Sequence, residues 1–231
     1  GGQHAMSFGA ACAGNVYAGR FELRVLIMAH HEFNMPITEA QARAVRVNDT
    51  VTLNGTLYGI RDATQIHMFD HGRKTRFDLK GHAVVHTAPN VRWVGETQAA
   101  PSGYEPICIG TTTSARMERF TRPLMEQYGV RIIIGKGGLF AASQKAFSDI
   151  GGIYLAVIGG AAALETTWIE QIEEVDLDDL NPESLWKFRV KGFGPLLVSM
   201  DAHGGNLYTE VNKSAKDNRA EVLAALGVKS S

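Results

Sequence analysis

Apolar residues fall in two rhythms along this chain of 231 residues, and the rhythm changes near its middle. Residues 21–29, FELRVLIMA, alternate and then run apolar, which predicts a strand. ITEAQARAVRV follows Pro36 with helix formers placed behind Thr38, a residue type that caps helix starts. DTVTLNGTLYGIRDAT has β-branched alternation on both sides of Asn54-Gly55, which predicts a hairpin whose second strand delivers Arg61 and Asp62 at its end. HMFDHGRKTRFD reads as a loop or capped helix end, and GHAVVHTA and VRWVGETQ as two strands around Pro89.

From about residue 107 short apolar runs are each followed by a glycine-bearing turn and a stretch of helical period. ICIG precedes TSARMERFTRPLMEQYG, VRIIIG precedes LFAASQKAFSDIG, and IYLAVIG precedes GAAALETTWIEQI. Repeated strand, turn and helix predicts a parallel or mixed sheet covered by helices. An acidic connection, EEVDLDDLNPES, leads to two further strands, LWKFRV and PLLVSMD, the second turning at AHGGN into LYTEV. SAKDNRAEVLAALGV reads as a surface helix. The fold class expected is α/β, a β-rich layer packed with a strand-turn-helix layer, in one continuous domain without repeats.

Composition narrows the chemistry more than the fold. The 23 lysines and arginines nearly balance 24 aspartates and glutamates, so net charge points to neither nucleic acid nor membrane, and a charged ligand must be held by local arrangement. Two cysteines, Cys12 and Cys108, lie far apart and outside any CxxC pattern. They read as small buried apolar residues and are too few to hold an iron–sulfur cluster or a structural zinc. YLAVIGGAAAL and VRIIIG fall short of the ~20 apolar residues a membrane helix needs, and a soluble, cytoplasmic chain is expected. Residues 1–6, GGQHAM, read as an expression remnant, and 7–30 as an amino-terminal extension.

The densest candidate chemistry is IGTTTSARMERF, residues 109–120. A glycine turn entering a helix exposes N–H groups that attract an anion. Thr112, Thr113 and Ser114 can add hydroxyl donors, and Arg116 a planar fork matched to a carboxylate or phosphate. Plain N-capping is the competing reading of the same residues. In IIIGKGGL, Lys136 stands between glycines whose bare backbone lets a ligand approach, without the spacing of a P-loop. Arg61 is a third cation, with a surface salt bridge to Asp62 as the alternative. Thr112, Arg116 and Lys136 could share the carboxyl rim of a parallel sheet, where three cations around hydroxyls suit a small dicarboxylate. His82 and His86 share a strand face at a distance, so no metal site is expected, and Asp201 reads as a turn residue.

Taken in order, GTLYGIRDAT, IGTTTSARM, IIIGKGGL, YLAVIGGAAAL and LWKFRV through PLLVSMDAHGGNLY resemble the β subunit, or carboxyl-terminal domain, of class I iron–sulfur fumarate hydratase and L(+)-tartrate dehydratase hydro-lyases. The resemblance covers about residues 36–210. It implies a swivelling β/β/α domain over 31–215, with 216–231 as a carboxyl-terminal helix or tail. It also implies a cysteine-bearing α subunit as partner, which carries a [4Fe-4S] cluster, so that this chain alone is inactive and supplies no metal ligand. The β chain would pair with that partner, and a homodimer of β chains is a further arrangement. The reaction implied is reversible dehydration of a 2-hydroxydicarboxylate, malate to fumarate or tartrate to oxaloacetate. Matched position by position, Arg61, Thr112, Arg116 and Lys136 would be the catalytic set, with Thr113 and Gly137 beside them in substrate binding and Thr112 as base or proton relay. Two positions depart from the family pattern: Thr111 stands where a proline is usual, which adds a donor, and Gln65 where a histidine is usual. A different function class, a stand-alone dicarboxylate-binding module that has lost catalysis, follows from those departures.

Overall fold

The protein is described by a computed structural model over residues 28–227. The segments 1–6 and 7–27, Cys12, and all but the last two residues of the strand expected over 21–29 lie outside the described residues; residues 28 and 29 are irregular. The first half runs β1 (His30–Asn34), α1 (Glu39–Ala44), β2 (Thr50–Ile60), α2 (Asp62–Phe69), β3 (Ala83–His86), β4 (Asn90–Trp93) and β5 (Tyr104–Cys108). A 3₁₀ turn over Ala115–Phe120 then leads into α3 (Thr121–Tyr128), β6 (Ile132–Gly135), α4 (Ala141–Ile150), β7 (Ile153–Ala156), α5 (Ala162–Thr167) and β8 (Ile169–Asp176). A second 3₁₀ segment, Asp178–Glu183, precedes β9 (Leu185–Met200) and α6 (Leu207–Ala225).

Seven strands form one sheet in the order β1-β2-β3-β6-β7-β9-β8, and β2 also pairs with β9. That extra pairing closes β2, β3, β6, β7 and β9 into a ring. Within it β2, β3, β6 and β7 are parallel neighbours, whereas β9 is antiparallel to both β2 and β7. Strand alternation divides the apolar residues into two cores. Val51, Leu53, Leu57, Ala83, Val85, Ile132, Ile134, Ile153 and Leu155 face one way. Tyr58, Ile60, Val84, Ile133 and Tyr154 face the other, where Met68 of α2, Leu124 of α3 and Phe147 of α4 cover them. The result is mixed α/β with a β-rich layer under helices. α1 starts as the sequence suggests: Thr38 and Gln41 form a capping box.

Four local expectations fail, three of them because a partner elsewhere in the chain outweighs a local signal and one because a local cap does. Asn54-Gly55 does not turn. β2 runs straight through it, Gly55 takes φ +96° at a register shift against β9, and the Asn54 side chain donates to Glu32 and accepts from Gly192 N–H. Flanked by β1 and β9, the glycine becomes a bulge. LWKFRV and PLLVSMD are one strand, β9, bent near Gly192 and Gly194, whose first half pairs with β8 and second half with β7. LYTEV is helical, because Asn206 accepts from the N–H groups of Tyr208 and Thr209 and starts α6. α6 continues through residues 215 and 216 without a break. ICIG is not a buried strand of the main sheet: β5 pairs only with β4 in a two-stranded ribbon, and Cys108 is exposed rather than buried.

Two smaller expectations also meet the structure. WIEQI, expected as helix, begins β8. Asp201 is buried and accepts from the N–H groups of Val47, His203 and Gly205, holding its turn onto the loop after α1. No helix among the described residues is long and apolar enough to cross a membrane.

Candidate functional site

The parallel strands β2, β3 and β6 end side by side, and the candidate residues gather on that carboxyl rim. Ile60, the last residue of β2, delivers Arg61 at the start of α2; Gly135, the last of β6, delivers Lys136. β3 and β6 pair with each other only as far as Val85 and Ile134. Beyond that point residues 112–114 occupy the gap between them. Thr112 N–H donates to His86 C=O at 2.7 Å, Lys136 N–H to Thr112 C=O at 3.3 Å, and Ser114 N–H to Lys136 C=O at 3.1 Å.

This insertion changes what GTTTSAR does. The N–H groups of Thr111, Thr112 and Ser114 all point at protein acceptors, Thr111 donating to Glu165 Oε2 at 3.1 Å. The element that follows is a short 3₁₀ turn with Ser114 at its head and no side-chain cap. The backbone donors of Thr111, Thr112 and Ser114 are therefore spent on Glu165, His86 and Lys136 rather than presented to an anion. The side chains of the turn and its neighbours are the remaining candidates for holding an anion.

Those side chains converge. Arg116 Nη2 lies 3.3 Å from Thr112 Oγ1, and Arg116 Nε and Nη2 donate to the Asp62 carboxylate at 2.9–3.0 Å. Arg61 makes looser ion pairs, Nε 3.6 Å from Asp62 and Nη1 3.6 Å from Glu183, and its buried Nε makes no hydrogen bond among the described residues. Burial works against the Asp62 charge, but the Arg116 hydrogen bonds prevail and hold its carboxyl below the usual range. Thr113 is exposed, with its methyl group near the Gly137 position, and Gly137 takes φ +69°. The arginines reach solvent on an open rim, their side chains 31% and 46% exposed. A hollow of about 740 Å³, lined by Gly138, Phe140, Asn206 and Tyr208, lies to one side of this cluster, between the start of α4 and α6.

Residues that pattern reasoning passes over hold the turn in place. Ser114 Oγ is 2.8 Å from His86 Nδ1 and 2.8 Å from Tyr154 Oη, and Tyr154 reaches Gly137 C=O at 3.0 Å. Burial pushes the His86 imidazole down to about 4, aided by Arg116 and opposed by Asp62, so the ring is neutral at pH 7. Gly135 has to be a glycine, since a Cβ there would lie 1.9 Å from Ser114 Oγ. On the other flank α5 lies across Gly110, whose Cβ would meet Ala162 at 2.4 Å. Glu165 is 2% exposed, and burial raises its carboxyl to about 7 against the opposing pull of the Thr111 N–H and Lys136. Its signal in the sequence is a lone acid inside the apolar GGAAALETT; that of His86 is a histidine closing an apolar strand. Gln65, fully buried, donates weakly to Arg61 C=O and leaves its Oε1 without a partner.

A family model described as the fumarase C-terminus matches residues 24–211. The chain belongs to the fumarase C-terminal family. Within it, the chain is 38% identical over 189 residues to the L(+)-tartrate dehydratase subunit beta of Escherichia coli (strain K12), an alignment covering 81% of this chain and 91% of that one. A Methanocaldococcus jannaschii protein provisionally named as the same subunit is 35% identical over 192 residues, covering 81% of this chain and 95% of that one. A Geobacillus stearothermophilus protein provisionally named a class I fumarate hydratase is 37% identical over 187 residues, which is 80% of this chain but 35% of that longer one. Family members thus include separate subunits and a segment of a larger chain. Arg61, Thr112, Arg116 and Lys136 all fall inside the matched region.

Proposed function

We propose that this chain is the β subunit of a two-chain hydro-lyase that reversibly dehydrates a 2-hydroxydicarboxylate of the malate or tartrate type, and that it supplies the carboxylate-binding half of the active site. The observation that carries the reading is Arg116 held against Thr112 Oγ1 by Asp62, with Arg61 paired to the same Asp62 carboxylate and the Lys136 backbone bonded to the Thr112 turn, on a rim open to solvent on one side. Two guanidinium forks and an ammonium carried on the same rim as a hydroxyl suit a ligand with two carboxylates flanking a reacting carbon. An open rim is what half of a shared site should look like before another chain covers it. The ring of β2, β3, β6, β7 and β9 with helices on one face is compatible with a swivelling β/β/α domain.

A [4Fe-4S] cluster does not fit this chain. Two cysteines fall short of the thiolates it needs, and Cys108 sits exposed on the β4–β5 ribbon, so on this reading the cluster belongs to a cysteine-bearing partner in the cytoplasm. This chain's share of the reaction is binding and orientation. Arg61 and Lys136 offer charge to the carboxylates, and Arg116 keeps its two Nη1 protons uncommitted. Thr112 Oγ1, fixed beside Arg116, can pass a proton only if the assembled site activates it, since a free hydroxyl is a weak base.

The test is anaerobic reconstitution with a cysteine-bearing α chain, followed by assay on malate, fumarate and tartrate. Dehydration by the complex but not by either chain is expected, with Arg116→Ala lowering kcat/KM about 10- to 100-fold, as for loss of a charge-assisted hydrogen bond. A cluster-loaded complex that dehydrates none of the three would overturn the reading. Tight dicarboxylate binding by the isolated chain would favour the stand-alone module instead.

A further inference from the structure

His86 stands outside the proposed substrate-binding set, yet the Thr112 turn is built on it. Its C=O accepts from Thr112 N–H at 2.7 Å, and its Nδ1 meets Ser114 Oγ at 2.8 Å. One residue therefore grips the turn at two points, two residues apart. The side chains of this contact are buried, His86 at 1% and Ser114 at 0% exposure.

The polarity of the chain can be assigned from donors and acceptors. Gly137 C=O can only accept, and it accepts from both Tyr154 Oη–H and Tyr208 Oη–H; the single Tyr154 proton is assigned to it because the other neighbour, Ser114 Oγ, can donate as well as accept. Tyr154 Oη is then free to accept from Ser114 O–H, and Ser114 Oγ from His86 Nδ1–H. This order needs a neutral imidazole protonated at Nδ1, and burial keeps the ring neutral as described above. Its Nε2, buried and without a partner, plays no part in the grip.

We infer that His86 is a positioning residue of this site, whose carbonyl and Nδ1–H hold residues 112–114 between β3 and β6 and so keep Thr112 Oγ1 against Arg116. The inference deepens the hydro-lyase reading and rests on it for its kinetic consequence, though not for its structural one. It also separates the two ring nitrogens. An asparagine amide can donate from nearly the place of Nδ1, whereas a glutamine amide reaches the place of Nε2.

The experiment compares His86→Asn, His86→Gln and His86→Leu. In the isolated chain, the ¹H–¹⁵N resonances of Thr112 and Ser114 should shift in the Gln and Leu variants and return close to wild type in Asn. In the reconstituted complex, Gln and Leu should lose about 10- to 100-fold in kcat with KM changed less than about threefold, and Asn should keep kcat within about threefold. Unmoved amides in the Leu variant, equal losses in all three variants, or activity kept by Gln and lost by Asn would each overturn the inference. If the wild-type complex dehydrates nothing, the hydro-lyase reading fails while the resonance arm still decides the role of His86.

Discussion

Asp62 holds Arg116 by one edge only: Nε and Nη2 donate to its carboxylate, Nη2 also reaches Thr112 Oγ1, and Nη1 is left uncommitted. Asp62 therefore orients the guanidinium instead of consuming it, a preorganising role for a residue that subtracts charge from the proposed anion site. Asp62→Ala should weaken dicarboxylate binding about 5- to 30-fold, ~1–2 kcal/mol, although it removes a negative charge beside the arginines. KM in the reconstituted complex reads this directly. Tighter binding would mean that Asp62 competes with the ligand.

Glu165 sets a pH signature. Its folded-state pKa of about 7 lies above the ordinary 4.5, so the folded protein holds this proton more tightly than the unfolded chain. The favourable contribution is complete below about pH 4.5 and is lost as pH rises through 7. Glu165→Gln lacks this loss. Urea unfolding should show the variant gaining on wild type between pH 5 and pH 8 by roughly 2–3 kcal/mol. A pH-independent difference would refute the assignment.

The same carboxyl is coupled to Thr111. Thr111 N–H is the donor to Glu165, and a proline at 111 has none. Thr111→Pro and Glu165→Ala should not add in a double-mutant cycle: once Glu165 is absent, the proline should cost less by about 1–2 kcal/mol. Additive effects would show that the bond does not matter.

Gly135 and Gly137 flank Lys136 but are glycines for different reasons. Gly135→Ala would drive a methyl group into Ser114 Oγ and break the His86–Ser114–Tyr154 chain, costing about 2–4 kcal/mol in urea unfolding. Gly137→Ala meets only the Thr113 methyl at 3.9 Å and should cost about 1 kcal/mol for its left-handed backbone. The reverse order would contradict the packing described here.

Thr38→Ala removes the capping box of α1 and should cost about 1 kcal/mol, read from the same unfolding curves.

What the sequence determined by itself was local or compositional. Thr38 caps α1 because its hydroxyl needs only Gln41, three residues away; β6 and β7 are strands because IIIG and IYLA run apolar on both faces; Arg61 stands where the run GTLYGI ends in β2, and Lys136 where IIIG ends in β6. The candidate cations were legible for that reason. Tertiary structure decided everything that depends on a distant partner. Gly55 bulges instead of turning because β1 and β9 supply longer ladders than a hairpin could. The amides of Thr111, Thr112 and Ser114 serve Glu165, His86 and Lys136 rather than an anion, because β3 and β6 diverge and leave a gap that must be filled with hydrogen bonds. The same gap recruits His86, Tyr154 and Glu165 into the site, and no spacing along the chain announces them, since they lie 28, 40 and 54 residues from the atoms they hold.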